Sequence, residues 1–272
     1  MREAAIRVTV RDDGIAVVAI DQPNRRANVL SLDLWKEFDA ALNSIPVNSS
    51  GLLLTSTKRG SFIAGADLRL LERATFNDPG VREVISFGLL VLEKLEALPF
   101  PTCAVLDGAA IGGGLEVALA CDIRIASSGA TMGLPEVALG LIPGWGGTQR
   151  LPRIIGWPAA IALLQSGTII TAERALEIGL LSGVFDSELL QDAAIRAMPL
   201  DGGIAARAKK RQPIPASEIG VFHPTNAIGE VAFAGAILPL HEAIRLETEA
   251  FFRLVGSEES KQKIGEFFSK PR

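Results

Sequence analysis

Two glutamates stand alone in the most apolar part of this chain. Glu116 is the only charged residue of segment 108–121, and Glu136 is the only one of segment 125–149. Burying a carboxylate without an adjacent cation is costly, so the pKa of each side chain is expected to rise. A raised pKa suits a carboxylate to general acid or base catalysis near neutral pH. The pair therefore predicts a site for proton transfer.

Glycine-rich backbone comes directly before the first of the two glutamates. Gly112-Gly113-Gly114 precedes Glu116, between a predicted buried strand and a predicted helix. Amide groups at such a helix start point along the helix dipole and can bind an anion. A second loop, Ala64-Gly65-Ala66-Asp67, also leaves its amides open to a ligand. Carboxylates beside such amides indicate proton transfer next to a carbonyl group.

Structural interpretations of the same residues remain open at this point. The glycine triplet is also typical of tight packing between a helix and a strand. Asp67 is expected to cap the following helix through its side chain. Each buried glutamate is explained equally well if an arginine from elsewhere in the chain pairs with it.

Composition provides enough apolar residues for a large core and argues against a nucleic-acid-binding surface. The 272 residues are 48% hydrophobic, with a net charge of −4 and a pI of about 5.4. This acidic balance argues against a nucleic-acid groove. The densest basic cluster, Lys209-Lys210-Arg211, is predicted to be a solvated loop. The N-terminus lacks a signal pattern and no apolar run approaches the ~18 residues of a membrane span, so we expect a soluble, cytoplasmic protein without a membrane span.

The elements that must position these residues follow an alternating rhythm. Strands 6–10 and 15–20 are predicted to form a hairpin around Asp12-Asp13-Gly14, and further buried strands to cover 51–56, 102–106 and 123–126. The predicted helices cover 32–42 (capped by Ser31), 79–98, 145–154, 157–166, 172–179 and 187–198. This order predicts an α/β fold with a largely parallel sheet.

Strand signals fade after about residue 200. Residues 205–220 are predicted to be a polar loop with prolines, and 224–234 and 237–268 to be helical. We therefore predict an α/β core over 1–200 and a C-terminal helical region over 201–272.

Several motifs together resemble the enoyl-CoA hydratase/isomerase (crotonase) family. The matching segments are 61–67 (SFIAGAD), 107–116 (DGAAIGGGLE), 120–126 (ACDIRIA), 134–140 (LPEVALG) and 142–152 (IPGWGGTQRLP). The C-terminal stretch from Glu247 to Phe268 resembles the hydratase part of the multifunctional fatty-acid oxidation enzymes.

The resemblance implies a crotonase-like spiral of β-β-α units followed by a helical region that serves oligomerisation and covers the active site. It also implies a homotrimer or a dimer of trimers, and a dehydrogenase or thiolase as a partner. The substrate would be an acyl-CoA thioester, with no metal and no separate cofactor, because CoA is part of the substrate.

The resemblance also implies a role for each matching residue. Glu116 and Glu136 would be the catalytic pair that adds water syn across a trans-2-enoyl-CoA double bond. The backbone N–H groups of Ala66 and Gly113 would form the oxyanion hole for the thioester oxygen. The residues implied to bind substrate or CoA are Arg25, Ala64, Asp67, Gly112, Pro135, Gly144, Trp145, Phe267 and Lys270.

Two questions stay open on the sequence. The presence of both glutamates favours a hydratase with Δ3-Δ2 isomerase as a second activity. The alternatives are another thioester reaction on the same scaffold (isomerase, hydrolase or decarboxylase) or a non-catalytic acyl-CoA-binding subunit. Trp145 departs from the family pattern, which has a small residue there. Its indole either narrows the acyl tunnel or packs at a helix start.

Overall fold

The strands of the chain form two β-sheets. The computed structural model describes residues 4–198, 204–220 and 226–269. The larger sheet has the strand order β1-β2-β3-β5-β7-β10, with β1 Ile6–Val10, β2 Ile15–Ile20, β3 Gly51–Ser56, β5 Thr102–Leu106, β7 Ile123–Ser127 and β10 Gly183–Phe185. The smaller sheet has the order β4 (Gly60–Ile63), β6 (Gly108–Ile111), β8 (Thr131–Gly133) and β9 (Ile170–Thr171).

Repeated β-β-α units generate this arrangement. After the antiparallel hairpin β1-β2, each of the pairs β3-β4, β5-β6 and β7-β8 places its first strand in the larger sheet and its second in the smaller. The larger sheet is parallel from β2 onwards, as the continuous apolar strands predict. The helices that follow are α1 (Leu32–Ser44), α2 (Leu68–Arg73), α3 (Pro79–Glu96) and α4 (Gly113–Ala120). The predicted α/β spiral is confirmed.

The rest of the described chain is mainly helical. Its helices are α5 (Gly147–Ile155), α6 (Trp157–Ser166), α7 (Ala172–Glu177), α8 (Leu190–Ala197), α9 (Ile204–Arg211), α10 (Ala216–Ile219), α11 (Ala227–Ala236), α12 (Leu240–Leu254) and α13 (Glu258–Ser269). Two short 3-10 helices cover Glu136–Leu139 and Ser187–Leu189. Within the described parts of the chain, every helix is too short or too polar to cross a membrane.

Local chemistry explains where two of these helices begin. The Ser31 side chain accepts a hydrogen bond from the N–H of Leu34, and the Asp67 side chain accepts one from the N–H of Arg69. Each side chain satisfies an amide that has no partner within its helix. Both predicted caps are confirmed.

The predicted loop over 205–220 is wrong, because it contains α9 and α10. Helix α9 is rich in alanine, lysine and arginine, which have high helix propensities. The basic cluster predicted to be a solvated loop is instead helical, and only Lys209 and Arg211 of its three residues are exposed. Lys210 is buried, and its Nζ donates to the carbonyls of Leu119, Ala120 and Cys121 at the end of α4. This cation satisfies carbonyl groups that the helix leaves unpaired.

The continuous helix predicted over 237–268 is also wrong. It is broken between α12 and α13 at Gly256, which has a φ of 76°. A left-handed glycine is a common way to end a helix. A Cβ added there would lie 2.5 Å from the carbonyl carbon of Thr75, so the two backbones meet too closely for a side chain. After this break, α13 packs against α2 and the first 3-10 helix.

Trp35 of α1, Gly88 of α3 and Trp145, just before α5, pack against one another. The rings of Trp35 and Trp145 lie 5.4 Å apart in an edge-to-face arrangement, and both are buried. Gly88 of α3 lies against both indoles, and a Cβ added to it would be 2.8 Å from Cε2 of Trp35. Rigid rings give way only if the surrounding core shifts.

We therefore expect Gly88→Ala to lower the free energy of unfolding by about 1–3 kcal/mol, although alanine is a better helix former. Urea unfolding of the purified variant measures this change. Gly265→Ala in α13 is the matched control, since a Cβ there meets nothing within 4 Å. The control should gain up to about 1 kcal/mol. Equal stability of Gly88→Ala and the parent would contradict the packing described here.

Candidate active site

An apolar cavity of about 180 Å³ opens between the start of α4, helices α2 and α3, and the C-terminal helices. Its walls include Leu71, Val81, Val84 and Ile85 from α2 and α3, and Phe251 from α12. Its polar end carries Glu116 and Glu136, the two carboxylates that the sequence singled out.

The cavity brings together most of the residues that the sequence predicts for the site. Its lining contains both glutamates, Ala66 and Gly113, and also Ala64, Asp67, Gly112, Pro135, Gly144, Trp145 and Phe267. Arg25 is not part of the lining. Its guanidinium Nη2 lies 3.9 Å from Oδ2 of Asp67, and its side chain is half exposed. Lys270 lies outside the described residues.

Glu116 lies one turn into α4 and is buried. Its Oε1 accepts hydrogen bonds from the N–H groups of Trp145 at 2.7 Å and Gly147 at 2.8 Å. Burial raises the pKa of Glu116, and the amides of Gly147, Trp145 and Gly144 oppose part of this rise. These amides stabilise the ionised form of the side chain.

Glu136 begins the first 3-10 helix directly after Pro135, and two residues separate it from the end of β8. The surroundings of its carboxyl group differ from those of Glu116. Its Oε2 is buried and has no hydrogen-bond partner among the described residues. Burial, followed by the negative charge of Glu116, raises the pKa of Glu136 well above its ordinary value. An uncompensated buried carboxyl group favours its neutral, protonated form.

The two carboxyl groups thus occupy unlike environments within one cavity. Two amides donate to Oε1 of Glu116, whereas the donor that lowers the pKa of Glu136 is its own backbone N–H, and the charge of Glu116 raises that pKa. Unlike environments separate a base from an acid at the same pH. Burial raises the pKa of Glu116 to about 7, so above that pH the arrangement favours an ionised Glu116 next to a protonated Glu136.

The parallel bridge between Leu30 and Ala66 does not use the backbone N–H of Ala66. In the parallel bridge between Leu30 and Ala66, the carbonyl of Gly65 and the N–H of Asp67 make the bonds to Leu30. The N–H of Ala66 therefore points away from Leu30. A Cβ added to Gly65 would lie 3.9 Å from the nitrogen of Gly113, so the two loops are adjacent.

Gly113 is the first residue of α4, where an amide has no acceptor within the helix. Gly112 before it has a φ of 54°, and a Cβ there would lie 2.8 Å from Oε1 of Glu136. A side chain at Gly112 would therefore be strained and would displace the carboxyl group. The two loops place amides of a helix start and of a small-residue turn next to both carboxylates.

Trp145 both lines the cavity and packs in the core. Its Nε1 donates to the carbonyl of Ile85 at 3.2 Å. A Cβ added to Gly113 would lie 2.6 Å from Cζ3 of the indole, so the ring covers the backbone of Gly113. Packing at the start of α5 explains why the indole is held in place. Its effect on acyl chain length stays a prediction.

A third buried carboxylate, Glu247 of α12, was not among the site residues predicted from the sequence. It is fully buried and accepts hydrogen bonds from the N–H of Gly146 at 2.6 Å and of Thr148 at 2.8 Å, and from the Thr148 hydroxyl. One signal pointed to it. Leu240, Ala243, Ala250 and Phe251 are buried at helical spacings around it, so it is a charge on an apolar stripe.

Glu116 and Glu247 together occupy the start of α5. The four successive amides of residues 145–148, which we call the shared turn, donate alternately to the two carboxylates. The nearby cation, Arg150, donates to the Trp145 carbonyl and forms a two-bond pair with Glu96. The shared turn therefore supplies most of the direct stabilisation of two buried negative charges.

Comparisons with known proteins identify the family of the chain. Residues 11–200 match the enoyl-CoA hydratase/isomerase family. The fatty acid oxidation complex subunit alpha of Shewanella baltica is 41% identical over 218 residues, which are 78% of this chain and 30% of that protein. The chain thus spans about 30% of the length of the curated relatives it matches.

Solved structures cover nearly the whole chain. The enoyl-CoA hydratase from Bacillus anthracis is 32% identical with a TM-score of 0.67, covering 97% of this chain and 96% of that one. The enoyl-CoA hydratase from Bacillus halodurans is 25% identical with a TM-score of 0.74, covering 96% and 99%. On its sequence, its fold and the match over residues 11–200, this chain belongs to the enoyl-CoA hydratase/isomerase family.

Proposed function

We propose that this protein is an enoyl-CoA hydratase that adds water syn across trans-2-enoyl-CoA thioesters to give 3-hydroxyacyl-CoA. The observation that carries the proposal is the pair of unlike carboxyl groups, Glu116 and Glu136, in one apolar cavity beside the amides of Ala66 and Gly113. The names of its relatives support a role in fatty-acid oxidation.

In the proposed reaction, the ionised Glu116 removes a proton from a water molecule while the oxygen of that water forms a bond to Cβ of the substrate. The π electrons of the double bond move into the thioester, which becomes an enolate. The protonated Glu136 then delivers its proton to Cα as the enolate collapses. A final proton transfer from Glu116 to Glu136 restores the starting state. Since the two groups are coupled, their pKa values belong to the pair.

The thioester oxygen gains negative charge during this step. The N–H groups of Ala66 and Gly113 are proposed to bind it, and each such donor contributes a few kcal/mol when it is already oriented. Gly113 adds the dipole of α4. The chemistry is proton transfer, so we expect no redox cofactor and no metal.

The remaining lining suggests how the substrate lies. The apolar walls from α2 and α3 suit the acyl chain, with Phe251 and Phe267 of the C-terminal helices as its cover. Arg25, close to Asp67 at the edge of the cavity, is proposed to contact the CoA phosphates. Assembly as a trimer or a dimer of trimers stays part of the proposal, as does a dehydrogenase or thiolase partner.

A second activity is favoured by one observation. Oε2 of Glu136 has no hydrogen-bond partner, so this carboxyl group is free to carry a proton between Cα and Cγ of a bound acyl chain. We therefore keep Δ3-Δ2 enoyl-CoA isomerisation as the second candidate. A non-catalytic acyl-CoA-binding role gives no reason to keep two buried carboxyl groups in the cavity, because their burial is costly.

We expect Glu116→Gln and Glu136→Gln each to lower kcat for crotonyl-CoA hydration by roughly 10²–10⁴-fold, the usual effect of losing a general acid or base. The fall in absorbance of the conjugated thioester measures the rate. Glu93→Gln, an exposed change on α3, is the matched control and should keep the parent's rate. Circular dichroism should show that all three variants are folded.

Two results would count against these assignments. Full activity in either glutamine variant would remove that residue from the mechanism. Tight acyl-CoA binding without turnover in the parent, unaltered in both variants, would favour the binding-subunit alternative.

The pH dependence provides an independent test. Glu116 must be ionised, so kcat/KM should fall as the pH drops through its raised pKa, above the ordinary range of about 4–5. Glu136 must be protonated, so kcat/KM should also fall as the pH rises through its still higher pKa. The expected profile is a bell with its acid limb above about pH 5. A flat profile between about pH 5 and pH 9 would be inconsistent with this pair.

A further inference from the structure

The carboxylate of Glu247 is not needed by the reaction as written, yet it is buried at the start of the helix that holds Glu116. It reaches this position from α12, 101 residues after Gly146 in the chain. Its two oxygens accept three hydrogen bonds, from the amides of Gly146 and Thr148 and from the Thr148 hydroxyl. An ionised carboxylate only accepts hydrogen bonds, so this set of donors matches its charged form.

The hydrogen bonds of the shared turn link Glu247 to Glu116. Glu116 accepts hydrogen bonds from the amides of Trp145 and Gly147. Glu247 accepts them from the amides of Gly146 and Thr148. A displacement of Glu247 would therefore move the amides that orient Glu116. We propose that Glu247 is a positioning residue for the reaction, which orients Glu116 through the shared turn and repels its negative charge; this inference rests on the proposed function.

The charges around Glu247 come from several packed elements. Glu116 of α4, Glu136 of the first 3-10 helix and Arg150 of α5 interact electrostatically with Glu247. The helices that pack against α12 also carry Arg153 of α5, Arg207, Lys209, Lys210 and Arg211 of α9, and Glu230 of α11. Glu96 engages both Arg150 and Lys210, and Arg153 donates to backbone carbonyls. Glu230 is exposed, as are the other charged side chains of α12, which are His241, Glu242, Arg245, Glu249 and Arg253.

These surroundings leave Glu116 and Glu247 coupled to each other. Arg150 and Lys210 pair with Glu96, and Arg150 stabilises the two carboxylates only through its charge, without a hydrogen bond to either. The direct hydrogen bonds to the two carboxylates come from the shared turn and the Thr148 hydroxyl. Burial, followed by the negative charge of Glu116, raises the pKa of Glu247, and its bonds to Thr148 and Gly146 oppose the rise. Removing the Glu247 charge should therefore make Glu116 easier to ionise.

The test is Glu247→Gln, measured with crotonyl-CoA across the pH range. Since Glu116 loses its support, kcat should fall about 10- to 100-fold. KM should stay near the parent's value, because Glu247 does not line the cavity. The acid limb of the pH profile should move down by about one unit, because a like charge has been removed.

Glu249→Gln is the matched control, as it removes the same charge from an exposed site two residues along α12. It should leave kcat and the acid limb unchanged. A purely structural role for Glu247 would lower the amount of folded protein without moving the limb. An acid limb that stays in place or moves up in Glu247→Gln would overturn the proposal.

A second pair of variants covers the case in which Glu247→Gln fails to fold. Thr148→Val removes one donor to Glu247 and should move the acid limb down by less, with a smaller loss of kcat. Thr148→Ser retains the hydroxyl and should keep the parent's acid limb. Identical limbs in the valine and serine variants would overturn the proposal.

One measurement separates this inference from the proposed reaction. Infrared spectra of the parent and of its Glu116→Gln variant differ by the carboxyl bands of Glu116, so their difference follows the protonation of Glu116 without any turnover. The same difference is recorded in the Glu247→Gln background. The midpoint of Glu116 should be lower in the Glu247→Gln background than in the parent. If the parent hydrates no 2-enoyl-CoA ester, the proposed function fails, and the infrared midpoint still decides whether Glu247 controls Glu116.

Discussion

The interaction on which the site depends is the binding of two buried carboxylates by four consecutive amides. Carboxylates buried without compensation would be neutral or would destabilise the fold. The shared turn supplies N–H groups that α5 itself cannot use, together with the positive end of its dipole. Glu116 can therefore remain a usable base inside an apolar cavity, while Glu136, which lacks such donors, holds a proton.

Close backbone approach is the second constraint, and it explains the small residues around the site. Gly112 and Gly113 have no room for a Cβ, because Glu136 and Trp145 lie directly against them. Gly88 of α3 likewise has no room for a Cβ, because the indole of Trp145 lies against it. The amides proposed to bind the thioester oxygen, the carboxyl groups and the wall of the cavity are thus parts of one packed unit, in which a change of volume at one position moves the others.

The sequence revealed the parts of this unit whose signal is local. Glu116 and Glu136 could be predicted because each is a lone charge in a long apolar segment, and Asp67 because a cap acts within three residues. Glu247 was missed because exposed charges surround it in α12, and its partners lie about 100 residues away. The burial of Lys210 and the break at Gly256 depend on contacts with α4 and with Thr75 that no local pattern contains.

The central claim is that unlike surroundings place a proton on Glu136 and leave Glu116 ionised. Neutron diffraction from crystals of the protein in deuterated buffer, at a pH above the value of about 7 to which burial raises the pKa of Glu116, would locate that proton directly. The account predicts a deuteron on the carboxyl group of Glu136 and none on that of Glu116. A deuteron on Glu116 beside a bare Glu136, or two bare carboxylates, would contradict it.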